Sequence, residues 1–234
     1  MRRYQHLFFD LDHTIWDFET NSRATLAHLF VSMGLRELGI PNVESFLDVY
    51  HPINHRMWGE FERGEITRIE LRIGRFLQTL THFGKPDINL ANAIAENYLN
   101  DLPLQTNLFD GAAEVLHILK ERNYQLHLIT NGFTKVQIDK LERAGIRDYF
   151  THIITSELAQ TNKPHPEIFH LALQTANASL SESIMIGDNP HADMFGAKQV
   201  GMDRILFNTN QHPVEVDVTH EINSLRELMD LLPA

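Results

Sequence analysis

The stretch that decides the fold lies near the start of the chain, where Leu7-Phe8-Phe9 runs directly into Asp10-Leu11-Asp12-His13-Thr14. A short apolar run that ends abruptly in two acidic residues is typical of a buried strand. In an open parallel sheet, ligands bind outside the carboxyl ends of the strands. We therefore expect Asp10 and Asp12 to lie at such an end.

The second half of the chain alternates short β-rich runs with helical patterns. The predicted strands cover residues 125–129, 152–155, 184–186 and 205–207. The predicted helices cover residues 112–122, 134–144, 167–176, 192–200 and 224–232. This alternation, with nearly continuous apolar strands, predicts a parallel sheet with helices on both faces.

Residues 17–105 have a different pattern, because apolar side chains such as Leu26, Leu29 and Phe30 recur there at helical spacing. No convincing β run interrupts this segment. The sequence thus predicts an α/β protein with a doubly wound parallel-sheet core, formed by residues 1–16 and 106–234, and an inserted all-helical domain at residues 17–105.

The composition excludes several classes of protein. The 234 residues include 31 acidic and 20 basic side chains, for a formal net charge of −11, which argues against binding of a nucleic-acid polymer. Cysteine is absent, so disulfides, thiolate metal sites and cysteine nucleophiles are excluded. No stretch approaches the roughly 18 apolar residues of a membrane span. We expect a cytoplasmic protein that is a monomer or a small homo-oligomer and does not bind a membrane.

Polar residues follow the predicted strands in a consistent way. They are Asp10 and Asp12 after the first strand, Thr130-Asn131-Gly132 after the second, Lys163 after the third and Gly187-Asp188-Asn189 after the fourth. Several carboxylates in one site repel one another, and a hard divalent cation with oxygen ligands, such as magnesium, relieves that repulsion. A lysine and a hydroxyl beside the metal suit a phosphoryl group. Without cysteine, an aspartate is a plausible nucleophile.

These residues resemble the four sequence motifs of the haloacid dehalogenase-like hydrolases, in the expected order. Asp10-Leu11-Asp12-His13-Thr14 resembles the first motif, Asp-x-Asp-x-Thr, and Thr130-Asn131-Gly132 resembles the second. Lys163-Pro164 resembles the third motif, and Gly187-Asp188 with Asp193 resembles the fourth. The resemblance covers essentially the whole chain and implies a Rossmann-like core. The helical insertion is similar to the cap of the subgroup whose cap follows the first strand.

The resemblance implies a role for each carboxylate of the first motif. Asp10 would be the nucleophile that attacks phosphorus, and also a magnesium ligand. Asp12 would protonate the leaving alcohol and then take a proton from the attacking water, and its backbone carbonyl would bind magnesium. Dehalogenases of this family lack the second acid, since a halide leaving group needs no proton. The presence of Asp12 therefore favours phosphate transfer.

The other motifs imply the rest of the site. Thr130 and the backbone N–H of Asn131 would hold phosphoryl oxygens, and Lys163 would neutralise charge on the nucleophile and the transferring group. Asp188 would complete the magnesium site, with Asp193 as a direct ligand or as a group behind the ligands. Asp193 also lies near the start of a predicted helix, where an acidic side chain is favourable in any case.

The inserted segment resembles the cap of the pyrimidine 5′-nucleotidase branch of the family, although more loosely than the core motifs match. This resemblance rests on residues 51–58, His-Pro-Ile-Asn-His-Arg-Met-Trp, with Gly64-Glu65-Ile66 and Arg75-Phe76 beyond them, and on Trp16-Asp17-Phe18. Asn54 and Arg75 are candidate substrate contacts. Polar groups of the helical scaffold would fit the same two positions equally well.

The sequence predicts a magnesium-dependent phosphomonoester hydrolase that acts through an aspartyl-phosphate intermediate. Its substrates would be small phosphomonoesters, with pyrimidine nucleoside 5′-monophosphates favoured. A sugar-phosphate or phosphoglycolate phosphatase is the first alternative, and a phosphomutase is the second. A non-catalytic binding module would be expected to have lost one of the motif residues, and none is lost.

Overall fold

The computed structural model describes residues 4–209, 211, 213 and 215–234. The chain divides into two compact units. One is formed by residues 1–18 and 106–234, and the other by residues 19–105. We call them the α/β unit and the helical unit.

The helical unit is made of helices, three of which begin at well-defined caps. They are α1 (Phe18–Ser32), α2 (Val43–Glu62), α3 (Arg68–His82) and α4 (Ile88–Asp101). The side chain of Asn42 accepts a hydrogen bond at the start of α2, and Asp87 does the same at the start of α4. Thr67 and Glu70 form a reciprocal capping box at α3. Each of these three helices thus begins where the sequence supplies an acceptor for its free N–H groups.

Aromatic side chains fill the centre of the helical unit. The ring of Tyr50 stacks on Phe76, with centroids 5.1 Å apart, and Phe76 meets Tyr98 edge-on at 5.6 Å. All three rings are buried. Ring pairs at such distances are favourable beyond the area that they bury, so α2, α3 and α4 are held together by this cluster.

The α/β unit is built on a six-stranded sheet in which every neighbouring pair is parallel. Its strands are β1 (His6–Phe9), β2 (Gln125–Thr130), β3 (Phe150–Thr155), β4 (Ser183–Gly187), β5 (Asp203–Phe207) and β6 (His220–Ile222). Their order across the sheet is β3-β2-β1-β4-β5-β6, the order of the doubly wound nucleotide-binding folds. The predicted fold class is confirmed. Strand β6 was not predicted, because three residues at an edge carry too short an apolar pattern.

The helices of the α/β unit follow the predicted alternation. They are α5 (Ala112–Glu121), α6 (Thr134–Arg143), α7 (Ser156–Ala159), α8 (Pro166–Ala176), α9 (Gly196–Gln199) and α10 (Leu228–Leu231). The short helix α7 was not predicted. The hydrophobic core includes Phe8, Ile129, Ile154 and Met185 from the strands, together with Phe169 from α8.

Two predicted helices take a different form. Residues 192–200 are divided between a π-helical turn, Pro190–Phe195, and α9. Pro190 fixes the start of that turn, and the amide oxygen of Asn189 accepts hydrogen bonds from the N–H groups of His191 and Ala192. Residues 224–232 are likewise divided, between a 3₁₀ turn and α10.

In the described part of the chain, we find no helix with both the length and the apolar character needed to cross a membrane.

Candidate active site

The carboxyl ends of adjacent strands bring the motif residues to one edge of the sheet. β1 pairs with β2 on one side and with β4 on the other, so that Phe9 lies opposite Leu128 and Ile186. The backbone N–H of Asp10 extends this pairing by donating to the carbonyl of Ile186, at 2.9 Å. Residues that follow these strands therefore converge, as expected for a parallel sheet.

A tight turn after β1 sets the direction of the next side chains. The carbonyl of Leu11 accepts hydrogen bonds from the N–H groups of residues 14–16, and His13 lies in the left-handed region with φ of 64°. The turn buries Thr14, whose hydroxyl donates to Oδ1 of Asp188 at 3.2 Å. The first and fourth motifs are thus joined by a direct hydrogen bond.

Lys163 is buried at the centre of the site. Its ammonium group donates to Oδ1 of Asp10 at 2.8 Å, to Oδ1 of Asp193 at 2.6 Å and to the carbonyl of Ile129 at 2.9 Å. A lysine ammonium has three hydrogens, so all of them are used. Burial alone would lower the pKa of Lys163, but Asp10 and Asp193 raise it above its usual range. The group therefore remains a cation inside the protein.

Asn131 fixes the segment that carries Lys163. Its side-chain NH₂ donates to the carbonyl of Lys163 at 3.0 Å, and the N–H of Lys163 donates back to the amide oxygen at 2.8 Å. The sequence had suggested a role for the backbone N–H of Asn131 only. The paired side-chain bonds were missed because residues 131 and 163 are far apart in the chain.

A cluster of carboxylates at this edge has the composition of a divalent-cation site. One oxygen each from Asp10, Asp188 and Asp193 lies within 4.8 Å of the others. Burial raises the pKa of Asp10 to about 7, with Asp193 and Asp12 adding to the rise while Lys163 opposes it. Burial and the charges of Asp193 and Asp10 raise the pKa of Asp188 well above its usual range. A magnesium ion, which prefers oxygen ligands, fits this set of donors.

Asp193 differs from the other two carboxylates because both of its oxygens already have protein donors. Oδ1 accepts from Lys163, and Oδ2 accepts from the N–H of Asn189 at 3.0 Å. The side chain is fully buried. The absence of a side chain at Gly187 lets the Asp193 carboxylate lie close to the backbone there, since a Cβ at position 187 would stand 2.2 Å from Oδ2 of Asp193. This geometry suits a group that orients Lys163 behind the ligands better than it suits a direct ligand.

The carboxylate of Asp12 is hydrogen-bonded to side chains of α6. Its Oδ1 accepts from Lys140 at 2.6 Å, and its Oδ2 accepts from Gln137 at 2.9 Å. The same Gln137 nitrogen donates to the hydroxyl of Thr130 at 2.6 Å. Gln137 and Lys140 were not predicted. The available signal was their place beside Val136 and Leu141 on the buried face of the helix, where polar side chains are unusual.

The two predicted substrate contacts of the inserted segment lie within the helical unit. The guanidinium of Arg75 donates to the amide oxygen of Asn54 at 2.8 Å, and both side chains are buried. The guanidinium also faces the ring of Tyr98, with its central carbon 5.0 Å from the centroid, and the ring of Phe76 at 5.2 Å. Their contact with substrate stays a prediction.

Comparisons with known proteins agree with the motifs. The sequence model of the haloacid dehalogenase-like hydrolases matches residues 7–207. The chain is 33% identical to the pyrimidine 5′-nucleotidase PynA of Streptococcus pneumoniae, over 98% of this chain and 95% of PynA. It is 31% identical to the pyrimidine 5′-nucleotidase YjjG of Escherichia coli, over 98% of both chains. A glyceraldehyde 3-phosphate phosphatase of Pyrococcus furiosus is 30% identical, over 99% of this chain and 94% of that protein.

A solved structure gives the same result for the fold. YfnB of Bacillus subtilis, whose crystal structure was determined with bound magnesium, superposes with a TM-score of 0.90 at 29% identity, over 99% of both chains. The predicted resemblance, to the family and to relatives named as pyrimidine 5′-nucleotidases, is confirmed. With a family match from the first strand to the fifth and relatives above 30% identity over nearly the full length, this chain belongs to the haloacid dehalogenase-like hydrolases.

Proposed function

We propose that the chain is a magnesium-dependent phosphomonoester hydrolase that forms an aspartyl-phosphate on Asp10. The observation that carries this proposal is that two carboxylates that follow the same strand have different partners. Asp10 is buried against the ammonium of Lys163, while Asp12 is held by α6. One carboxylate is thus available as a nucleophile and the other as an acid–base group, which is what hydrolysis of an ester with a poor leaving group requires.

The first half of the reaction transfers the phosphoryl group to the protein. A carboxylate oxygen of Asp10 attacks phosphorus, and the bond from phosphorus to the alcohol oxygen breaks. Asp12 gives a proton to that oxygen as it leaves. Lys163 and the Thr130 hydroxyl stabilise the negative charge of the transferring group. Magnesium held by Asp10 and Asp188, with the Asp12 carbonyl and Asp193 as further candidates, would supply additional positive charge.

The second half of the reaction releases phosphate. Asp12, now ionised, takes a proton from a water molecule, and the water oxygen attacks phosphorus. The bond between phosphorus and the Asp10 oxygen breaks, so that Asp10 returns as a carboxylate and inorganic phosphate is the product. Asp12 ends the cycle protonated, ready for the next leaving group.

We propose pyrimidine nucleoside 5′-monophosphates as the preferred substrates. Support comes from the two relatives named as pyrimidine 5′-nucleotidases, each aligned over nearly the whole chain. In this proposal residues 17–105 act as the cap that selects the substrate, with Asn54 and Arg75 among its contacts. A sugar-phosphate phosphatase is the second candidate, because a glyceraldehyde 3-phosphate phosphatase is 30% identical over a similar length.

Release of inorganic phosphate tests both candidates. The purified protein is assayed with magnesium or with EDTA against uridine, cytidine, thymidine and purine 5′-monophosphates, glyceraldehyde 3-phosphate, sugar phosphates and phosphoglycolate. We expect magnesium-dependent activity, highest on the pyrimidine nucleotides and lost in Asp10→Asn. Activity confined to sugar phosphates would support the second candidate. Inactivity on the whole panel, or full activity of Asp10→Asn, would overturn the proposal.

A further inference from the structure

Helix α6 sends two polar side chains into the interior of the α/β unit. Gln137 is 1% exposed and Lys140 is 2% exposed. Burying an amide or an ammonium group is costly unless its hydrogen bonds are made inside the protein. The partners of these two groups therefore indicate why the helix carries them.

Both side chains converge on the carboxylate of Asp12, at different oxygens. Lys140 donates to Oδ1 at 2.6 Å and Gln137 donates to Oδ2 at 2.9 Å, so the plane of the carboxylate is fixed at two points. A carboxylate offers about four lone-pair positions, and these two bonds leave one on each oxygen. The Asp12 side chain is 22% exposed, whereas that of Lys140 is 2% exposed. One edge of the carboxylate is thus anchored, and the other remains accessible.

Lys140 is itself held in place by aromatic rings. Its ammonium nitrogen lies 4.2 Å from the centroid of the Trp16 ring and 5.5 Å from that of Phe18. A cation over aromatic faces is attracted to them, most strongly when water is excluded. The turn after β1 thus supplies both the carboxylate, Asp12, and a platform for the cation that holds it.

Gln137 extends the arrangement to the Thr130 hydroxyl. The carboxylate of Asp12 needs a donor, so the amide must present its NH₂ group on this side. The same nitrogen donates to Oγ1 of Thr130 at 2.6 Å, and this oxygen also accepts from the N–H of Gly132 at 3.1 Å. A hydroxyl has two lone pairs and one hydrogen. With both lone pairs occupied, the hydrogen of Thr130 is directed to a different acceptor, such as a phosphoryl oxygen.

We propose that Gln137 and Lys140 are positioning residues for phosphoryl transfer: Lys140 orients Asp12, and Gln137 orients both Asp12 and the Thr130 hydroxyl. The inference rests on the proposed function, since it assumes that Asp12 transfers protons and that Thr130 binds the phosphoryl group. It adds the helix after the second motif to the parts of the molecule that set the rate.

Dependence on the leaving group tests this proposal. p-Nitrophenyl phosphate releases a stable anion that needs no proton, whereas a nucleotide releases a poor leaving group that does. We compare kcat/KM on p-nitrophenyl phosphate with kcat/KM on the alkyl phosphate that the wild-type protein hydrolyses best. Lys140→Met is expected to lose about 10- to 100-fold on the alkyl phosphate, because Asp12 remains and only part of the 10²- to 10⁴-fold contribution of acid–base catalysis is lost. On p-nitrophenyl phosphate the same variant is expected to lose less than about threefold. Gln137→Met is expected to lose activity on both substrates, and more on the alkyl phosphate.

Three further variants make the outcomes distinct. Asp12→Asn should show the largest dependence on the leaving group, because it removes the acid itself. Lys135→Met is the matched control, since Lys135 lies on the same helix with a side chain 83% exposed, and it should leave both rates unchanged. Lys140→Arg retains a cationic donor at this position and should keep part of the alkyl-phosphate activity that Lys140→Met loses.

The results separate the inference from the proposed function. One outcome is that the loss of kcat/KM in Asp12→Asn is larger on the alkyl phosphate while Lys140→Met and Gln137→Met lose kcat/KM equally on both substrates. In that case the positioning roles are wrong and the acid–base role of Asp12 stands. If Asp12→Asn itself shows no such dependence, the proposed role of Asp12 fails, and the inference fails with it. Urea denaturation of each variant identifies a loss of folded protein, and the ratio of the two rates is independent of that loss.

Discussion

The two units of this protein both bury cations, but they balance the charge in different ways. In the α/β unit, Lys163 and Lys140 each donate to carboxylates, at 2.6–2.8 Å. In the helical unit, the guanidinium of Arg75 donates to the neutral amide of Asn54 and lies against aromatic rings. The same physical problem, a buried positive charge, is thus met by carboxylate partners for these lysines and by a neutral amide with aromatic rings for Arg75.

The difference indicates what each cation does. A buried ion pair is weak evidence of stabilisation, because desolvation of the charges offsets much of their attraction. Ionisable groups with shifted pKa values and specific charge partners are concentrated at functional sites. An arginine packed against rings contributes contact area as well as charge. We therefore expect loss of the lysines to reduce activity most, and loss of Arg75 to affect stability as well.

Lys163→Met should have the largest effect. It removes the ammonium between Asp10 and Asp193 and leaves two buried carboxylates without their partner. We expect kcat/KM to fall by about 10³-fold or more, since single transition-state donors are worth 10² to 10³ and Lys163 also orients the nucleophile. The unfolding free energy should fall by about 3 kcal/mol, as for other broken buried pairs.

Phosphate release and urea denaturation measure the two effects of Lys163→Met. Lys135→Met, the exposed lysine on α6, serves as the matched control and should change neither. A Lys163→Met protein that keeps more than about a tenth of its activity would show that the charge pair is structural, and the contrast between the units would then disappear.

Gly132→Ala should have the next largest effect, and it sharpens the role of Gln137 without altering that residue. A Cβ at position 132 would stand 2.5 Å from the amide group of Gln137, so the side chain must move away from Asp12 and Thr130. We expect a loss of about tenfold in kcat on nucleotides, smaller than the 10²- to 10⁴-fold that acid–base catalysis contributes, because Asp12 itself remains. A double variant should lose little more than either single variant, because both act through the same contacts. Additive losses in the double variant would contradict this assignment.

The sequence was sufficient for the parts of the site that depend on strand ends. Asp10, Lys163 and Asp188 were expected at one edge because parallel strands end together, and the structure has them there. Gln137 and Lys140 were not expected, because the helical pattern of α6 could place them on its buried face but does not reveal which groups a buried polar side chain contacts. Their selection depends on the turn at residues 11–16, whose geometry is a tertiary property.

The sequence was sufficient for only part of the helical unit as well. Spacing predicted helices in this segment, and the ring cluster around Phe76 holds three of them together. The pattern did not distinguish a buried Arg75 from an exposed one. An arginine is mostly found at the surface, and only the packing of α3 against α2 and α4 brings Asn54 and three rings within its reach.

Arg75→Met should have a smaller effect, and it tests whether the cation of the helical unit is also a substrate contact. Loss of the bond to Asn54 and of the ring contacts should lower the unfolding free energy by about 1–3 kcal/mol. If Arg75 contacts a phosphorylated substrate as proposed, KM should rise by about tenfold with little change in kcat. A stability loss with an unchanged KM would restrict Arg75 to the scaffold.

The smallest effect concerns a third way of burying an ionisable group, which is to keep it neutral. His127 on β2 lies between His6 on β1 and His152 on β3, with ring centroids 5.4 and 5.3 Å away. Burial, followed by the charges of His6, His152 and Lys120, lowers the pKa of His127 from 6.5 to about 3. Below pH 6.5 the imidazole of His127 therefore binds a proton in the unfolded chain but not in the folded protein. The free energy of unfolding consequently falls as the pH falls.

The pH dependence of unfolding tests this arrangement. Between pH 6.5 and pH 5 the wild-type protein should lose up to about 2 kcal/mol through His127, at about 1.4 kcal/mol for each pH unit. His127→Phe removes the titrating ring and keeps an aromatic side chain beside Phe8 and His6, so its urea midpoint should depend less on pH over this interval. His117→Phe, the same substitution at an exposed residue of α5, should keep the wild-type slope. Equal slopes in all three proteins would mean that His127 is protonated in the folded state, and that the α/β unit buries a charged imidazole rather than a neutral ring.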